Sequence, residues 1–114
     1  MPSGPLAADL GPLDFDHLAR MTLGEKALER EVLEMFLAQS ARLLETLANL
    51  PLETPALAHT LKGSARAIGA FKVAERAAAL EAVGQQDDRA GTLAALRQAV
   101  AEARSAIEAR LGRS

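Results

Sequence analysis

The chain has 114 residues, enough for one domain with a single core but not for a nucleotide-binding catalytic domain beside it. It contains no Cys, Trp or Tyr, which excludes disulfides, thiol chemistry and Cys-based metal sites. A net charge of -2 and three Phe give neither the basic footprint nor the stacking platform of a nucleic-acid binder.

Residues 1–12 carry three Pro and two Gly with little periodicity, and are expected to form a flexible tail ahead of a domain spanning 13–114. The start has neither the basic nor the long apolar region of a secretory signal. No apolar stretch approaches the roughly 20 residues a membrane span needs, so a cytoplasmic location is expected. Asp14 or Asp16 can cap a short first helix reaching about Met21, with Leu13, Leu18 and Met21 on its apolar side; Gly24 then signals a turn. From Glu25 to about Leu50 there is neither Pro nor Gly. Leu28, Val32, Met35, Phe36, Leu43, Leu47 and Leu50 recur there at helical spacing. Pro51 ends that helix, and Thr54 is expected to cap the next, with Pro55 at its first position.

This third helix is predicted from Pro55 to about Ala70, a fourth from Phe71 to about Gln86, and a last from Arg89 to about Leu111. Val73, Ala74, Ala77 and Leu80 mark the apolar side of the fourth helix. Leu93, Leu96, Val100, Ala103, Ile107 and Leu111 step by three and four along the last. Nothing alternates with a strand's period. The pattern is all-α: an antiparallel up-down four-helix bundle with a short extra N-terminal helix.

Placed at 100° per residue, the third helix separates two faces. Leu57, Leu61, Ser64, Ala65 and Ile68 fall together and should meet the core. His59, Lys62, Gly63, Arg66 and Ala70 fall opposite, so His59 is expected at least half exposed. A neutral imidazole is a good nucleophile near neutral pH. Lys62, at i+3, can offset the charge of a phosphoryl group on the ring, most usefully where a partner excludes water. Gly63, at i+4, removes the side chain that would overhang His59 and lets a partner close over it, although a helix-interior Gly costs roughly 1 kcal/mol against Ala. Ser64 is expected mainly to pack or to bond its own helix backbone. His17 has no such company and reads as a surface or capping residue.

The run His59-Thr60-Leu61-Lys62-Gly63-Ser64-Ala65 resembles the signature of the histidine-containing phosphotransfer (HPt) family, and the similarity extends through Ile68-Gly69-Ala70. The upstream pattern of a short acidic helix, a Gly and a long helix bearing Phe36 is also shared, so the resemblance covers about Leu13 to Leu111. It implies that His59 carries a phosphoryl group between receiver-domain aspartates in a two-component phosphorelay. It also implies an acceptor side chain on the following helix that orients the imidazole; Glu81 stands at that position. Many stand-alone members carry Gln there, and chemotaxis-kinase phosphotransfer domains carry Glu.

The implied partners are response-regulator receiver domains and a sensor histidine kinase. Receivers present an acidic pocket that holds Mg²⁺, so this chain is expected to need no cofactor or metal of its own. Lys62, Arg66, Lys72 and Arg76 outnumber Glu75 between residues 59 and 76, a local field suited to that pocket. Gly63, Ser64, Arg66 and Lys72 are candidate partner contacts, with Leu10, Leu13, Leu18 and Met21 as a candidate apolar surface. The short chain and its exposed relay face suggest a monomer. No glycine-rich phosphate loop or kinase signature is present, so the chain is expected not to use ATP alone. Two alternatives stay open: a helical docking module whose His59 is never phosphorylated, and a chemotaxis-type domain phosphorylated directly by a separate kinase.

Overall fold

In the computed structural model, residues 11–84 and 88–113 are described; the expected tail lies outside them apart from Gly11 and Pro12. Five helices follow in order: α1 (Phe15–Met21), α2 (Lys26–Leu47), α3 (Thr54–Ile68), α4 (Phe71–Ala82) and α5 (Arg89–Arg110). No strand occurs among the described residues. The most extensive packing is α3 on α4, followed by α4 on α5. The ring closes through α2, which touches both α3 and α5, while α1 lies against α3. This is the antiparallel bundle with a short extra helix that the apolar periodicity predicts. No helix in the described residues is long and apolar enough to cross a membrane.

Local chemistry explains most helix ends. Asp14 caps α1 by accepting the backbone N–H of His17 at 3.1 Å, and Asp88 caps α5 through Gly91 N–H at 2.8 Å. Helix α2 stops at Leu47, short of the expected Leu50. A residue preceding Pro is disfavoured in the helical region, and Leu50 instead takes φ +46 while its N–H bonds the Leu47 carbonyl. Thr54 is not the cap of α3 but its first residue; Glu53 holds the cap position, and the Thr54 hydroxyl donates to the Pro51 carbonyl. Helix α4 ends at Ala82, where Val83 turns extended. The expected extension to Gln86 runs into residues 85–87, which lie outside the described set.

Leu61, Ala65 and Ile68 are buried as their spacing on α3 predicts, joined by Ala58; Leu57 and Ser64 are only half buried. The predicted stripes of α4 and α5 are buried throughout. On α2 the core face is rotated from the predicted one. Leu33, Phe36, Leu37, Ser40 and Leu47 are buried, whereas Met35 is 64% exposed. Because α2 must serve both α3 and α5, its buried stripe lies between those neighbours, with Val32, Leu43 and Leu44 at its edges. Polar clamps support the α2–α5 seam. Arg104 donates to the Leu37 carbonyl at 2.7 Å, and Arg110 makes a two-pronged pair with Glu29 while lying 4.7 Å from the Phe15 ring centroid.

The turn between α3 and α4 positions the site. Gly69 adopts φ +87, its N–H bonds the Arg66 carbonyl, and the Ala70 N–H bonds Ala65. This left-handed closure terminates α3 and reverses the chain at once. It also buries Ala70, which an uninterrupted helix would have left on the exposed face. The Gly69 carbonyl accepts the Asp14 N–H at 2.9 Å, tying the start of α1 to the turn. A Cβ on Gly69 would sit 2.8 Å from the Asp14 carbonyl oxygen. Gly69→Ala should therefore destabilise the fold by at least about 1–2 kcal/mol from the left-handed backbone alone. Thermal or urea unfolding reads this directly, and an unchanged midpoint would contradict it.

Candidate functional site

His59 lies in the second turn of α3, opposite the helix's core face, and its side chain is 65% exposed. Burial of Ala58, Leu61, Ala65 and Ile68 fixes the rotation of the helix and so the direction of the ring. Because the chain reverses at Gly69, the end of α4 returns beside the start of α3. Glu81 thereby faces His59 across a sequence separation of 22 residues.

Glu81 bridges two groups. Its Oε2 lies 2.8 Å from His59 Nδ1, and its Oε1 accepts from Lys62 Nζ at 2.6 Å. An ionised carboxylate can only accept hydrogen bonds, so the proton of a neutral ring belongs on Nδ1. The lone pair is then on Nε2, the nitrogen away from the carboxylate and the one suited to attack an electrophile. The hydrogen bonds from Lys62, then from His59, hold the Glu81 carboxyl below its ordinary value despite the opposing effect of burial.

Lys62 is less free than its i+3 position suggests. Its side chain is only 17% exposed and its ammonium is engaged by Glu81. Gly63 opens on empty space, with nothing within 4 Å of where a Cβ would stand. Arg66, in the last turn of α3, is exposed. Lys72 stands apart from this group, with Nζ 3.9 Å from Glu102 on α5. The local basic field is consequently weaker than the residue count implies, since Lys62 and Lys72 both face carboxylates while Arg66 and Arg76 are exposed.

Ser64 lines a groove between α2 and α3 together with Ala67, Val32, Met35, Gln39 and Arg42. Met35 and this groove were not among the candidate partner contacts. Periodicity assigned Met35 to the core, and only its 64% exposure in the folded chain marks it as surface. The expected apolar surface on the N-terminal helix is corrected in turn. Leu13 and Leu18 are buried to within 1%, so neither can meet a partner; Met21 is exposed, and Leu10 lies outside the described residues. His17 is not a plain surface residue either. Its ring packs edge-on against Phe71 at 5.0 Å with Nε2 buried and unpartnered.

Comparison with known proteins places this geometry in context. The family model of the Hpt domain matches residues 31–106, a span that contains His59, Lys62 and Glu81. The fold is similar to the crystal structure of the histidine phosphotransferase ShpA from Caulobacter crescentus. That similarity has 31% sequence identity and a TM-score of 0.74, covering 90% of this chain and 92% of that one. No curated protein matches the sequence.

The lowered Glu81 value sets a pH dependence. A carboxyl whose folded-state value is depressed adds stability that is fully present above its ordinary value of 4.5 and is lost as pH falls through the depressed one. Glu81→Gln should therefore melt below the parent protein near neutral pH, and the gap should close in acid. Parallel thermal melts across that range test this; a gap that stays constant in acid would contradict it.

Proposed function

Because the chain belongs to the Hpt domain family, we propose that it relays a phosphoryl group between aspartates of receiver domains, with His59 as the transient carrier. The observation that carries this reading is the exposed imidazole whose Nδ1 is occupied by Glu81, which leaves Nε2 as the nucleophile. In the first half-reaction the Nε2 lone pair attacks the phosphorus of an aspartyl phosphate. The bond to the aspartate oxygen breaks, and its electron pair leaves with the carboxylate. The second half-reaction runs the same chemistry toward another aspartate.

Catalysis of this kind is mainly positioning and charge stabilisation. His59 supplies the nucleophile, and Glu81 orients the ring. Lys62, next to both, is placed to turn from Glu81 toward the transferred group and offset its charge. We assign the Mg²⁺ and the acidic pocket to the receiver. Arg66 and Ser64 flank the approach on α3, with the Met35 groove beside them as an apolar contact for the docked domain. Lys72 has a weaker claim because it faces Glu102. A carboxylate at position 81 also favours a second reading, in which a separate kinase phosphorylates His59 directly. Supplying a kinase and a phosphorylated receiver as donors in separate reactions distinguishes the two.

Incubation with a phosphorylated receiver should label the protein, and His59→Ala should abolish the label. Equal labelling of both proteins, or of neither, would defeat the relay reading. Gly63→Ala separates function from stability. An alanine there meets nothing and restores helix propensity, so the fold should gain about 0.5–1 kcal/mol. The methyl group, one turn above the ring, should nevertheless slow transfer by roughly tenfold or more through a displaced partner. A variant that is both more stable and equally fast would contradict this role for Gly63.

A further inference from the structure

Arg66 lies seven residues beyond His59, two turns along the same face of α3 and about 10 Å away along the helix axis. Between them on that face is Gly63, where nothing stands within 4 Å of a Cβ position. An open corridor therefore joins the arginine to the ring along the helix surface. Side chains on a helix incline toward its N-terminus, so Arg66 inclines toward His59 rather than away from it. Extended over Gly63, its guanidinium covers most of the gap. The oxygens of a phosphoryl group on Nε2 would stand out from the ring to meet it.

Charge points the same way. Lys62 is nearer in sequence, but its ammonium is held by Glu81 at 2.6 Å and its side chain is largely covered. Arg66 is exposed, and its side chain forms no hydrogen bond or ion pair among the described residues. No acidic residue occurs between positions 59 and 69 to claim it. A guanidinium can also offer two parallel N–H donors to phosphoryl oxygens, which an ammonium cannot. Resting on the carrier reading above, we infer that Arg66 is a further catalytic residue, folding back across Gly63 to hold the phosphoryl group as it arrives on His59 and as it leaves. The glycine then serves two ends, admitting the partner and clearing the path of the arginine. Before phosphorylation the two cations are divided, Lys62 to the carboxylate and Arg66 to the incoming anion.

Phosphoramidate, a small donor that needs no docking surface, tests this on the full chain. His59 Nε2 forms its bond to phosphorus as the donor's P–N bond breaks, and the electron pair leaves with ammonia. Labelling is compared for the parent, Arg66→Ala and Arg66→Lys. All three should fold, since position 66 is exposed on a helix and each residue is a good helix former. Arg66→Ala should label about three- to tenfold more slowly, the span of one charge-assisted hydrogen bond in a partly wet site. Arg66→Lys, a point charge without the fork, should recover only part of the rate. Nitrogen-15 NMR of the parent should show the Arg66 Nε–H resonance move on phosphorylation, while those of Arg42 on α2 and Arg97 on α5 stay in place. Equal labelling rates for the parent and Arg66→Ala, or an Arg66 resonance that phosphorylation leaves unmoved, would overturn the inference and leave the carrier reading standing. Slowing seen only with a phosphorylated receiver as donor would overturn it as well, by making Arg66 a docking contact. If the parent takes no label from either donor, the carrier reading itself fails and the inference with it.

Discussion

The packing of α3 on α4 is the interaction on which the rest of the structure depends. Both helices bury small side chains, Ala58 and Ala65 on one and Ala74 and Ala77 on the other, with Leu61, Val73 and Leu80 filling the space around them. Small residues let two helix axes approach closely. That closeness gives a carboxylate on α4 a direct hydrogen bond to a ring on α3 without an intervening water. Rotation of either helix by one residue would turn His59 or Glu81 away. The apolar faces therefore specify the chemistry as firmly as the polar residues do.

The same packing explains how a surface site can be ordered. Exposed ion pairs are ordinarily weak, because two long side chains must be immobilised in water. Here the Lys62 side chain is largely covered, and the carboxylate it meets is shared with a ring on the same helix. One group satisfies two partners, and helices already held by the core fix all three backbones. The imidazole is exposed while the groups bonded to it are partly sheltered, an arrangement that suits the proposed carrier, which must be reached by partners and still present a single nitrogen to them.

Much of this was legible in the sequence, for identifiable reasons. The apolar periods of α4 and α5 survive folding because each helix meets its neighbours along one stripe. The pairing of Glu81 with His59 was readable through the family resemblance, and the tight reversal at Gly69 is the feature of the fold that brings the two together. The α2 face was misread because its buried stripe runs through Leu33, Leu37 and Ser40 rather than Leu28 and Met35, and Met35 sits where a single-period reading cannot tell an edge from a core. Thr54 was misplaced by one position because its hydroxyl suits either a cap or a bond back to Pro51. The sharing of Glu81 between His59 and Lys62 was not legible at all. It depends on side-chain rotamers at the end of α4, and residue spacing carries no record of those.

The hydrogen bond between Asp14 N–H and the Gly69 carbonyl shows how the molecule divides its labour. The hydrogen-bonded groups His59, Lys62 and Glu81 all lie within one helical hairpin, whose ends are brought together at low loop-closure entropy. Helices α1, α2 and α5 support that hairpin from outside without contributing a bonded atom to the ring among the described residues. Damage to the distant Arg104 or Arg110 clamps should therefore lower stability first, because neither side chain touches the hairpin's hydrogen-bonded cluster. The polar clamps on α5 and the hydrogen-bonded cluster on the hairpin are thus separate in space and share no side chain.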